Sequence, residues 1–248
     1  MNWHAPLVSL FRTLGWHLSK DGLVRLKPRD GYIACPPHCY RVYAPWTVPP
    51  FSTMYAQIKP WTLVSDDRCY IIQQFARQCA RLPGDFAECG VFKGGTAMLL
   101  AKTLQDCGQS SKLLHLFDTF QGMPEHANQD ASGHVQGDFN DTSLAAVQSR
   151  LTAYSNVCFH PGLVPDTLAA VADRTFAFVY ADLDLYRSTR DALDFFYERM
   201  IPGAVLICDD YGFPSYRDAA KKAVDEFFAD KPEQVIAPRT GQCFIVKL

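Results

Sequence analysis

Four aspartates carry the first chemical signal. FAFVYADLDLYRST sets Asp182 and Asp184 at the end of an apolar run, and VLICDDYG sets Asp209 and Asp210 at the end of the next. If both runs are neighbouring strands, four carboxylates gather at their tips and repel one another in a low-dielectric cleft unless a cation lies between them. A hard divalent ion accepts carboxylate oxygens, and Mg²⁺ suits a site completed by water or substrate oxygens. An aliphatic hydroxyl is a poor nucleophile until it begins to lose its proton. A metal that holds its oxygen and a carboxylate that takes its proton both correct this. On this reading Asp182, Asp209 and Asp210 bind the metal at the catalytic centre and Asp184 is the base. The structural alternatives are turn chemistry for Asp209-Asp210 and a helix cap for Asp184.

The turn Glu88-Cys89-Gly90-Val91-Phe92-Lys93-Gly94-Gly95-Thr96 carries the second signal. Gly90 and Gly94 let backbone approach a ligand, and the turn through Thr96 exposes the first amides of a helix. The spacing is G-x-x-x-G-G, so the G-x-G-x-x-G pyrophosphate fingerprint is missing. S-adenosylmethionine has no phosphate. Its carboxylate needs an amide nest and its ammonium an acidic partner, which Glu88 supplies directly or through water. Asp118 closes the following apolar run, where an acidic residue suits ribose hydroxyls. Taken singly, the turn reads equally as a βα connection that binds nothing and Asp118 as a helix cap. Together, at adjacent strand ends, they favour a nucleoside-bearing cofactor.

The elements that must position these groups follow from periodicity. Ser65 reads as an N-cap with Asp66 and Asp67 in the first turn of a helix that stops at Leu82-Pro83-Gly84. Strands are expected at 85–90, 112–118, 157–160, 175–182 and 203–209, with helices near 95–107, 143–154, 165–172, 187–200 and 215–229. The strands are continuous apolar runs, as in a parallel sheet covered on both faces. Two more strands, near 233–237 and 242–247, are expected to close the sheet with an antiparallel hairpin. The domain, 62–248, is thus a doubly wound α/β fold with helices on both faces. Residues 1–61 form an N-terminal arm. Leu7, Leu10, Phe11, Leu14 and Leu18 recur at helical spacing, while the proline- and aromatic-rich stretch 28–61 reads as an ordered arm over the domain and a subunit contact. The arm suggests a homo-oligomer.

Composition excludes several classes. A net charge of −2 leaves no electrostatic footprint for nucleic acid, so a small, roughly neutral partner is expected. Nine scattered cysteines, several within apolar runs, fit free thiols in a reducing cytoplasm better than a disulfide framework. Cys35-Pro-Pro-His38-Cys39 lacks a second ligand pair at zinc-finger spacing. The N-terminus has no signal-peptide pattern and no run is long enough to span a bilayer, so no membrane partner is expected.

The runs PGDFAECGVFKGGTAMLL, HLFDTFQGMPE, GDFNDTSLAAV, PGLVPDTL, YADLDLYRSTRDAL and PGAVLICDDYG resemble the macrocin O-methyltransferase family, in order over residues 60–247. The resemblance implies a Rossmann-like class I methyltransferase fold with a seven-stranded sheet, S-adenosylmethionine as methyl donor, Mg²⁺, and a hydroxyl of a sugar or other natural-product intermediate as acceptor. It implies that Asp182, Asp209 and Asp210 hold the metal, that Asp184 is the base and that Asp118 binds ribose. Glu88 and Gly90 would line the cofactor, Thr119 and Gln121 would lie near the adenosine, and Thr62 and Ser65 would help close over the methionine end. Residues 121–142, with His126 and His134, would form a loop over the site. DLD stands here where the sugar enzymes have DGD, with the aspartate spacing kept, and the first sixty residues match poorly.

Two other functions compete. A nucleotide-dependent oxidoreductase on the same fold leaves the aspartates unexplained. A non-catalytic cofactor-binding module leaves their intact spacing unexplained.

Overall fold

The computed structural model describes residues 16–19, 22–25, 32–35, 40–125 and 133–248. Its chain forms two compact units, Met1–Gln57 and Ile58–Leu248. In the first, β1 (Trp16–Ser19) pairs antiparallel with β2 (Gly22–Arg25) and β3 (Tyr32–Cys35) with β4 (Tyr40–Tyr43). Helix α1 (Phe51–Ile58) follows. Leu18 therefore lies in a strand rather than in the expected amphipathic helix. Leu7, Leu10, Phe11, Leu14, His38, Cys39 and His126 lie outside the described residues.

The second unit begins with α2 (Asp66–Cys79) and then alternates β5 (Asp85–Cys89), α3 (Gly95–Asp106), β6 (Leu114–Asp118), α4 (Leu144–Leu151) and β7 (Val157–Pro161). A 3-10 segment, Asp166–Val171, leads to β8 (Phe176–Ala181), α5 (Tyr186–Tyr197), β9 (Met200–Cys208), α6 (Ala220–Phe228) and β10 (Cys243–Val246). The six-stranded sheet has the order β10-β9-β8-β5-β6-β7, parallel throughout except for β10 against β9. Every residue of β5 and β8 is buried, which is why those runs show no polar alternation. One face packs Ala87, Phe117, Val179 and Leu206 against Phe196 of α5 and Val224 and Phe227 of α6. Alternation puts Phe86, Leu116, Phe178 and Tyr180 on the other face, with α2 and α3.

The sheet has six strands, not seven. Residues 233–237 contribute a single bridge, Ile236 to Phe244. Pro232 and Pro238 bracket the segment and cannot donate to a ladder. Buried Glu233 anchors it through Tyr197 Oη (2.9 Å), Lys247 Nζ (3.0 Å) and the amide of Leu248 (3.3 Å). The expected helix over 187–200 also ends early, at Tyr197, because Met200 already belongs to β9.

The chain runs outward from β5 through β6 to β7, then returns to place β8 on the other side of β5. Strand order reverses there, so the crevice beyond the carboxyl ends of β5 and β8 is where an open α/β sheet takes its ligand.

Candidate active site

The glycine turn and the first aspartate meet at that reversal. Gly90 has φ +86°, and a Cβ placed there would stand 1.8 Å from the carbonyl oxygen of Asp182. The amide of Asp182 donates to Cys89 O (2.8 Å). Only glycine permits this approach, and it places the tip of β8 directly beside the turn.

A single cleft opens over both. Its volume is about 1150 Å³, counting the solvent at its mouth. Thr62, Gly90, Thr96, Asp118, Thr119, Asp182, Asp184, Asp209 and Asp210 all line it. Ser65, Glu88, Gly94 and Gln121 do not. Ser65 occupies the N-cap position of α2 without capping it; its hydroxyl donates to Asp67 and accepts from Arg68 Nε (3.1 Å). Gly94 makes the left-handed step into α3 and faces Val147. Gln121 points to solvent. Glu88 lies fully buried, where Oε1 accepts from Thr96 Oγ1 and Oε2 has no hydrogen-bond partner.

Asp118 is occupied by backbone. One oxygen accepts from the amides of Val91 (2.6 Å) and Phe92 (2.9 Å), the other from that of Phe120 (2.6 Å). It braces the glycine turn in the manner of a cap. Burial pushes the Glu88 carboxyl up to about 8, with Asp118 adding to the rise against the Thr96 hydrogen bond. A buried acid with an orphaned oxygen, one hydroxyl from the cleft wall, fits a group that brings its own ammonium.

At the other end of the cleft, Asp182, Asp184 and Asp210 each offer a carboxylate oxygen within 4.8 Å of the others. Burial, followed by Asp209, Asp210 and Asp184, pushes the Asp182 carboxyl well above the usual range. Burial, followed by Asp184 and Asp209, does the same to Asp210. Such a donor set, all hard oxygens and short of positive charge, fits a divalent cation. Tyr180 Oη donates to Asp182 (3.2 Å). Asp184 takes a left-handed φ of 61° that aspartate tolerates, and its amide donates to Asp210 (3.3 Å).

Asp209 stands apart from those three. Its carboxylate is held by Arg68 Nη1 and by Gln242 Nε2 (2.7 Å), and only 1% of its side chain is exposed. Burial still raises its pKa, opposed by Arg68.

The sequence profile of the macrocin-O-methyltransferase (TylF) family matches residues 58–237, well over half of the chain. The chain belongs to that family. It is similar to 8-demethyl-8-(2,3-dimethoxy-alpha-L-rhamnosyl)-tetracenomycin-C 4'-O-methyltransferase of Streptomyces olivaceus, 33% identical over 56% of this chain and 57% of that enzyme. It is also similar to mycinamicin III 3''-O-methyltransferase of Micromonospora griseorubida, 29% identical over 66% and 70% of the two chains. Only a little over half of the first relative's length is therefore spanned. Among solved structures, that of the O-methyltransferase NovP superposes with a TM-score of 0.66 at 27% identity, covering 75% of this chain and 82% of that one.

Several residues of this TylF-family cleft escape sequence reasoning. Tyr180 had a signal: it stands two positions before Asp182, on the same strand face. Arg68, Gln242 and Tyr216 had none, because they reach the aspartates across long separations in sequence. His134, on the loop expected over the site, has Nε2 2.9 Å from Tyr216 Oη and 3.6 Å from Asp184 Oδ1, while Nδ1 lies 3.1 Å from Asp138. Other polar side chains close to these turns in the sequence are engaged elsewhere. Tyr186 and Tyr211 donate to Glu226 and Asp225. Lys93 pairs with Asp141. His160 stacks on Phe117 and contacts His115, away from the cleft lining.

Proposed function

We propose that the protein transfers a methyl group from S-adenosylmethionine to a hydroxyl of a small molecule, a sugar carried by a natural product, with Mg²⁺ as a required ion. The observation that carries this is the junction at Gly90, which sets a nucleoside-type turn and a carboxylate cluster side by side in one cleft. The names of the TylF-family relatives supply the acceptor class.

The donor's ammonium would be held by Glu88, whose free Oε2 would then ionise and be paired. Its carboxylate would meet the first amides of α3, and its ribose would meet Asp118, which would exchange an amide for a hydroxyl. Thr119 would lie near the adenosine. Thr62, packed against Gly95, would close the methionine end. The ion would be held by Asp182, Asp209 and Asp210. It supplies acidity and a fixed angle to an acceptor hydroxyl.

Asp184 is assigned as the base. Its side chain faces His134 and Tyr216, so a proton taken from the acceptor has a polar route off the carboxylate. Leu183, Met123, Phe139 and Leu163 supply apolar wall that excludes water and aligns the reacting oxygen with the methyl group.

The free cysteines among the described residues suit a reducing compartment, no helix described is long and apolar enough to cross a membrane, and we place the enzyme in the cytoplasm as a homo-oligomer without nucleic-acid partners. The deciding experiment is methylation of a deoxysugar-bearing natural product, assayed with Mg²⁺ and with chelator. Turnover that survives full chelation rejects the metal. Absence of S-adenosylhomocysteine binding rejects the donor.

A further inference from the structure

The acidic cluster meets a cation of the protein's own. Arg68, in the first turn of α2, places Nη1 on Asp209. Its Nε donates to Ser65 Oγ (3.1 Å) and its Nη2 to the carbonyl of Leu63 (3.3 Å). The guanidinium also lies over the Phe213 ring, 5.2 Å from its centroid, on the segment that follows Asp210. These ties hold a side chain that is only 14% exposed, in a position where Asp182 and Asp210 also feel its charge. The other oxygen of Asp209 accepts from Gln242 Nε2 (2.7 Å).

We propose that Arg68 is a positioning residue that competes with the divalent cation for Asp209, holding that carboxylate in place until the ion takes it over. This rests on reading the acidic cluster as a divalent site. The chemistry is direct. Asp209 is used by Arg68 and Gln242, so an ion that takes Asp209 as a ligand competes with the guanidinium for the same carboxylate. The contacts to Ser65, Leu63 and Phe213 give Arg68 a resting place that does not depend on Asp209. The device keeps a nearly fully buried carboxylate paired when no ion is bound, and an unpaired one would be costly to bury.

The test is Mn²⁺ affinity of the whole protein, measured by electron paramagnetic resonance for wild type, Arg68→Met and Arg68→Lys, with circular dichroism to verify folding. Competition predicts that Arg68→Met binds Mn²⁺ about tenfold more tightly than wild type. Arg68→Lys should fall between the two. A lysine keeps the charge but cannot fork to Asp209 while holding Ser65 and Leu63. If Arg68 only braces the fold, both variants bind Mn²⁺ equally well or more weakly, and the proposal is overturned. Should Arg68→Met fail to fold, the direction of the Lys variant's shift decides alone. If wild type binds Mn²⁺ and neither variant gains, only this inference falls. If no form binds Mn²⁺, the metal reading falls and takes it along.

Discussion

At the glycine-turn end of the cleft hydrogen bonds within the protein satisfy the acidic groups except for one oxygen, Glu88 Oε2. Asp118 accepts three backbone amides, and Glu88 rests on Thr96 with its proton retained up to about pH 8. At the aspartate end, one guanidinium pairs with Asp209 and lies near Asp182 and Asp210, and burial drives the pKa values of Asp182 and Asp210 well upward. The first end is closed by hydrogen bonds that a ligand must exchange. The second lacks charge that a ligand must bring. A methyl donor with an ammonium and a carboxylate fits the first kind of deficit, and a small dication fits the second. The contrast indicates that the two ends can be disabled separately, although one glycine joins them.

The largest expected effect comes from breaking that joint. Gly90→Ala puts a methyl group into the Asp182 carbonyl at a positive φ, and should cost about 3 kcal/mol or more of stability. Binding of S-adenosylhomocysteine and Mn²⁺ should be lost together, read by calorimetry. Loss of one alone would show that the ends are not mechanically linked.

Next in size are substitutions confined to the aspartate end. Asp210→Asn should lower turnover by about 10³-fold while S-adenosylhomocysteine binds nearly as before. An equal loss of donor affinity would move Asp210 into the donor pocket. Asp184→Asn should lower turnover by about 10²–10⁴-fold and keep Mn²⁺ affinity. A variant that instead loses the ion would make Asp184 the third ligand, in line with its closeness to Asp182 and Asp210.

A pH series sharpens the comparison with a smaller effect. Glu88 in the folded chain holds its proton to about pH 8, whereas unfolded it releases it near 4.5. Between these values the folded state binds more protons, so stability is complete below about pH 4.5 and declines as pH rises towards 8. The raised aspartates act in the same direction. Without ligands the melting temperature should therefore fall across this window. S-adenosylhomocysteine should flatten the part due to Glu88, and Mg²⁺ the part due to the aspartates. A melting temperature that climbs with pH in the absence of both would contradict the burial of these groups.

The smallest effect is expected of Thr96→Val, which removes the partner of Glu88 Oε1. Donor affinity should drop by about tenfold with Mn²⁺ affinity unchanged. A shift in Mn²⁺ binding would mean that the two ends share charge as well as backbone.

Much of this was legible in the chain. The apolar runs ending in Asp118, Asp182 and Asp209 read as buried parallel strands because both faces of such strands are covered, so polarity is confined to their tips. The order of the sheet was open to expectation only by resemblance, since periodicity names elements without saying which are neighbours. The strand expected at 233–237 shrinks to the single bridge at Ile236, because Pro232 and Pro238 bracket the segment and Glu233 anchors it through its side chain. Ser65 read as a cap from its type and position, but its hydroxyl is spent on Asp67 and Arg68.

The sequence by itself determined most element types of the second unit, a glycine turn able to let backbone approach closely, and a surplus of carboxylates that asks for a cation, because these are properties of local residue type and spacing. Tertiary structure alone decided which carboxylate is paired. Arg68 and Gln242 come from opposite ends of the domain's sequence and meet Asp209 only after β9 is seated between β8 and β10. Pairing of charges depends on distance in space, and folding sets that distance with no trace in the separation along the chain.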